Sequence, residues 1–175
     1  MINIKEYEVK NTVQELTVEE FQKIASILND TNLSRIFKWM DIFTYLGLPV
    51  EVLDEMGNDE FTEAVKIWND TPKFEGELVE KLEVDGRNYV AHEGEYSIKV
   101  RDLKHLERKV NESPTNYMAY WLAVIFKDDQ LTKNEHYDSA HLRHKEKLFK
   151  EQPAAVALPY VTFIAKEISE DDKVD

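Results

Sequence analysis

Three of the five histidines fall in one short stretch, His136-Tyr-Asp-Ser-Ala-His141-Leu-Arg-His144. On a helix, His141 and His144 stand one turn apart, and Asp138 lies three residues before His141. Neighbouring imidazoles with a carboxylate close by can chelate a divalent cation. The spacing matches no zinc signature, however. There is no His-Glu-x-x-His pair and no distant Cys or His pair to complete four ligands, the chain having no cysteine at all. Lys145, Lys147 and Lys150 add positive charge that opposes a cation. The expectation is a solvated, partly basic helix face, with no metal ligand assigned. A metal-dependent enzyme built on His136, His141 and His144 is the remote alternative.

Other catalytic patterns are equally thin. Acidic pairs such as Asp128-Asp129 and Asp171-Asp172 are adjacent residues in polar stretches, whereas acid–base catalysis needs two carboxyls in a cleft with divergent pKa values. No serine sits in a Gly-x-Ser-x-Gly elbow. The five glycines are scattered, so neither a phosphate-cradling loop nor a dinucleotide fingerprint can be built from them. The basic run LRHKEKLFK is broken by Glu146 and offers no aromatic stacking platform, which favours a helix with i,i+4 ion pairs over a nucleic-acid site. No catalytic or cofactor-binding residue is assigned, no cofactor is expected, and the chain is read as a non-enzyme.

The elements that would carry these residues are mostly helical. Ile2, Ile4, Tyr7 and Val9 alternate as in a strand covering the first ten residues. Thr17 and Glu20 form a capping-box pair that opens a helix over Phe21 to Leu28, stopped by Asn29-Asp30. A second helix spans about 32–46 with Gly47 as its cap. Its apolar residues spread far beyond the usual stripe of about 100°. That width places the helix centrally in the core, or gives it a second face for another chain. Pro49 opens a short third helix, and Asp59 caps a fourth that carries Phe61, Ala64, Val65, Ile67 and Trp68.

Asn69-Asp70-Thr71-Pro72 is a turn cluster and marks an internal boundary. Asp85-Gly86 between two alternating runs is a hairpin signal, and Tyr96, Ile98 and Val100 suggest a third strand. Helices are expected again at Leu103 to Val110, and at about 115–127, 138–151 and 154–168, with Pro159 kinking the last or delaying its start. The fold class is therefore mainly α, a helical protein with an N-terminal strand and a small central β-hairpin insert (α+β). The parts are 1–70, strand and helices; 71–100, the hairpin insert; 101–168, the second helical part; and 169–175, a mobile acidic tail.

Composition restricts the partners. The chain has 175 residues, an apolar fraction of 42% and a net charge of −13. That charge opposes sequence-independent contact with nucleic acid and with anionic membranes. No segment approaches the run of about 20 apolar residues that crosses a bilayer. MINIKEYEVK lacks the apolar centre of a signal peptide, and cytoplasmic residence is the expectation. What remains is another protein. Tryptophan and tyrosine are enriched at interface anchors, and Phe37, Trp39, Met40, Phe43, Tyr117, Tyr120 and Trp121 are the candidate partner-binding residues.

The order of these pieces resembles the small tail assembly chaperones of tailed phages, including baseplate-hub assembly proteins. The likeness runs over residues 2–168. It begins with the N-terminal strand, LTVEEFQKIASIL and IFKWMDIFTYLGLPVEVLDEM. It continues through VDGRNYV, RDLKHLERKV and NYMAYWLAVIF to HYDSAHLRHKEKLFKEQPAAVALPYVTFIAKEI. It rests on order and texture, and no motif fixes a functional residue. The resemblance implies a non-enzymatic protein of the host cytoplasm that binds tail components such as the tape-measure protein. A structural component of the tail or baseplate is the main alternative, and would bring self-association into a homo-oligomer.

Overall fold

In the computed structural model, residues 1–70, 77–91, 100–128, 130–131 and 138–171 are described, apart from the side chains of 100, 101 and 165–171. The chain is mainly helical, with two small antiparallel sheets. Strand β1 (Ile2–Ile4) and strand β2 (Tyr7–Val9) pair with Ile2 opposite Val9 and Ile4 opposite Tyr7. A single strand was expected here. Lys5, at φ 55°, reverses the chain after three residues, and the two halves of the period-2 pattern fold onto each other. Ile4 and Val9 both point inward as a result.

Four helices follow: α1 (Val18–Asn29), α2 (Arg35–Tyr45), α3 (Val50–Glu55) and α4 (Asn58–Asn69). The capping box on α1 is formed. Thr17 Oγ1 accepts from the Glu20 N–H at 3.1 Å, and Glu20 Oε2 accepts from the Thr17 N–H at 2.8 Å. Ser34 caps α2, and Gly47, at φ 98°, turns the chain out of it, a conformation that costs glycine little. Helix α4 starts one residue before the expected cap: Gly57 is the N-cap, and its N–H donates to Glu60 at 3.1 Å.

Strands β3 (Lys81–Val84) and β4 (Arg87–Ala91) form the expected hairpin, with Asp85 and Gly86 both at positive φ, as a tight primed turn requires. Helix α5 (Val100–Glu112) leads to α6 (Met118–Ile125), whose eight residues are all buried. The next three residues, Phe126–Asp128, form β5 and pair with β4, Tyr89 opposite Asp128 and Ala91 opposite Phe126. Two expectations are corrected here. The helix over 115–127 gives way to a strand at Phe126, and Val100 opens a helix instead of closing a strand. Tyr96 and Ile98 lie outside the described residues, as do Thr71 and Pro72. Helices α7 (Ser139–Lys150) and α8 (Ala154–Asp171) complete the chain, with Pro159 inside α8. Residues 169–171, expected in a mobile tail, belong to α8, because Ser, Glu and Asp do not break a helix.

Two apolar clusters organise the fold. One holds Val9, Trp39, Ile42, Phe43, Leu53 and Val65 from the N-terminal part. The other joins the β3–β4 hairpin to the C-terminal helices through Tyr89, Leu106, Trp121, Phe126, Phe149 and Tyr160. The hairpin thus shares a core with the second helical part. Helix α1 lies between the clusters: Val18 belongs to the second, Ile24 and Ile27 to the first. Backbone bonds reinforce this junction, Val18 N–H to Gln152 O at 2.8 Å and Ala154 N–H to Leu16 O at 2.8 Å. Among the described residues, no helix is long and apolar enough to cross a membrane.

Candidate functional site

Two places concentrate features beyond ordinary packing, one buried and one exposed. The buried one is the contact between α7 and the three-stranded sheet. His141, Lys145 and Phe149 stand at i, i+4 and i+8 and so share one side of α7. Phe149 meets the rings of Tyr89 at 5.4 Å and Phe126 at 5.8 Å. Lys145 has no solvent exposure, and its Nζ donates to the Phe126 carbonyl at 2.8 Å. This overturns the solvated-face reading for Lys145, since the sheet covers the very side on which it lies.

Two buried carboxylates accompany it. Asp128 accepts from Arg87 Nη1 at 3.3 Å and from the Gln130 N–H at 3.0 Å. Asp102 pairs with Lys127 Nζ at 3.2 Å, and Lys127 also bonds the Val124 carbonyl. Burial pushes the Lys145 ammonium down to about 7 and Lys127 pushes it the same way, while Asp128 and Asp102 oppose. Burial also lowers the His141 imidazole, helped by Lys145, with Asp128 opposing. The Tyr89 hydroxyl is raised by burial and by Asp128.

Among the described residues, the Tyr89 hydroxyl and His141 Nε2 are buried without a hydrogen-bond partner. With its amine sealed from solvent and bonded to the Phe126 carbonyl, Lys145 holds α7 to the sheet.

The histidine cluster does not converge. His141 is half-buried against the sheet and His144 is exposed, while His136 and Tyr137 lie outside the described residues. Asp138, considered as a ligand, is the N-cap of α7, its carboxylate accepting from the N–H groups of Ala140 at 2.9 Å and His141 at 3.0 Å. Those bonds hold its carboxyl below the usual range. Among the described residues, no group of three or more His, Asp and Glu side chains gathers as a metal site.

The exposed place lies on the N-terminal helices. Apart from Met1 and Val79, every large exposed apolar side chain among the described residues falls between Leu28 and Ile67. Ile36 and Phe37, on the first turn of α2, are 57% and 58% exposed. Ile36 borders a groove of about 860 Å³ whose other apolar walls are Leu28, Trp39, Phe61 and Val65. Its charged margin is Arg35, Lys38 and Lys66, with Asp70 as the one carboxylate. Lys38 Nζ donates to the Leu28 carbonyl at 2.7 Å, which ties the start of α2 to the end of α1.

The seven residues expected to meet a partner are divided by the fold. Trp39 and Phe43 are buried in the N-terminal cluster, although the edge of Trp39 lines the groove. Tyr120 and Trp121 are buried in the C-terminal cluster, with Trp121 Nε1 donating to the Leu106 carbonyl at 3.1 Å. Met40 and Tyr117 are half-buried, the Tyr117 ring packing at a tilt of 52° against Trp121 with centroids 4.6 Å apart. Phe37 alone of the seven is open to solvent. Ile36 and Tyr45, also exposed, were part of the wide apolar set of this helix but were not singled out.

In comparisons with known proteins, no family model, curated protein or solved structure matches the chain.

Proposed function

We propose that this protein is a non-enzymatic assembly chaperone for a phage tail or baseplate component, the tape-measure protein being the leading candidate. The observation that carries this reading is the exposure of Ile36 on the wall of the groove between α2 and α4, with the equally exposed Phe37 next to it in sequence. Isolated exposed apolar residues are ordinary on a protein surface, but a neighbouring set beside an apolar groove is what a binding surface requires. A long helical tail component exposes apolar stripes before it assembles, and a groove between helices is a standard receiver for such a stripe. The order of elements resembling tail assembly chaperones supports the same reading. The net charge of −13 would keep a complex of two partly apolar chains in solution.

The test is co-expression of the tagged chain with tail proteins, followed by capture and by analysis of purified particles. Recovery of the tape-measure protein with the chain, together with loss of the chain from mature particles, is the expected result. A chain retained in the particles is instead a structural component. Failure to recover any tail protein would overturn the reading.

A further inference from the structure

We infer that the α2–α4 groove selects a partner helix whose apolar stripe is flanked by carboxylates. This rests on the binding role proposed above and specifies the chemistry of what is bound. The apolar walls, Leu28, Ile36, Trp39, Phe61 and Val65, can accept a stripe of residues at i, i+3, i+4 and i+7. Such a stripe gives affinity to any amphipathic helix, so discrimination must come from the margin. There the local charge is opposite to that of the molecule. The chain as a whole carries 35 Asp and Glu against 22 Lys and Arg, yet the groove is lined by Arg35, Lys38 and Lys66 against Asp70.

A basic margin on an acidic protein attracts an acidic-flanked helix. At close range it also disfavours a basic one. Lys38 is committed to the Leu28 carbonyl, and Lys66 lies 3.9 Å from Glu63 with both side chains well exposed. An exposed ion pair of that length is easily exchanged for a contact with a partner's carboxylate. Arg35 presents a planar fork suited to bidentate contact with a carboxylate.

The experiment compares two labelled synthetic helices by fluorescence anisotropy against the full chain. Both carry the same leucine stripe; glutamates flank it in one and lysines in the other. The glutamate-flanked helix is expected to bind about tenfold tighter at low salt, and the difference should shrink as salt is added. The double variant Arg35→Glu, Lys66→Glu changes only exposed side chains, and it should reverse the preference. Ile36→Glu should weaken both helices. Equal affinity for the two helices, a preference for the lysine-flanked one, or binding indifferent to Ile36→Glu would each overturn the inference. Each of these can happen while the tape-measure protein is still captured, so the selectivity and the assembly role fail separately.

Discussion

The indole of Trp39 meets the indole of Trp68 edge-on, with ring centroids 5.3 Å apart and planes at 65°. This contact, with Phe43 against Phe61 at 6.1 Å and 89°, joins α2 to α4 through aromatic rings. Ring-edge contacts of this kind add to area burial and hold a defined geometry. They support the floor of the groove whose margin carries Ile36. Trp68 is itself anchored, since its Nε1 donates to the Lys10 carbonyl at 3.0 Å, just beyond β2.

Trp68→Phe keeps a ring at this position and removes the indole donor. The cost is expected at about 1 kcal/mol, the net worth of one hydrogen bond, read as a lowered denaturation midpoint with unchanged slope. An unchanged midpoint would show that the bond to Lys10 contributes nothing to the N-terminal cluster.

Glu20 serves two partners. It closes the capping box on Thr17, and it pairs with Lys10 Nζ at 2.8 Å. Burial raises its carboxyl, but Lys10 and the Thr17 N–H outweigh that effect and leave it below the usual value. A carboxyl lowered in the folded state contributes stability that is present above its unfolded pKa and lost as pH falls through the folded one. Glu20→Gln is therefore expected to cost about 1 kcal/mol at neutral pH. The difference from the parent should narrow in acid. A gap that stays constant down to pH 3 would contradict this assignment.

Lys145 gives a slope of the same sign on the alkaline side. Its ammonium has an ordinary value of 10.5 and is pushed to about 7 in the fold. Between those values the unfolded chain binds more protons than the folded one, so stability rises as pH increases above 7. The rise should be measured below the range where Tyr89, Tyr117 and Tyr120 ionise, all three being raised above 10 by burial. In Lys145→Met the rise between pH 7 and 9 should disappear, because no buried amine remains to lose its proton. Denaturation at a series of pH values checks this, and an equal slope in both proteins would contradict it.

What the sequence disclosed and what it concealed have physical reasons. The capping box at Thr17 and Glu20, the turn at Gly47 and the Asp85-Gly86 hairpin were legible because each rests on one or two residues with strong local preferences. The start of strand β5 was hidden because Phe126 ends the continuous apolar run from Met118, where a buried helix and a buried strand look alike. The inward side of α7 was hidden because a histidine and a lysine precede Phe149 on it. Lysine is almost never fully buried unless it is paired, and here the pairing comes from a strand carbonyl distant in sequence. The wide apolar face of the second helix was evident from composition, but which of its side chains stay open depends on α4. That helix takes up Trp39 and Phe43 and leaves Ile36 and Phe37 in solvent.

The double variant Ile36→Glu, Phe37→Glu addresses the central claim most directly. Both positions are open to solvent, so the variant should keep its circular dichroism spectrum and unfolding midpoint. Captured from cells co-expressing the tape-measure protein, the parent chain should bring that protein down and the folded variant should not. Equal recovery by the two would mean that these side chains are not what a partner covers, and the account would fall.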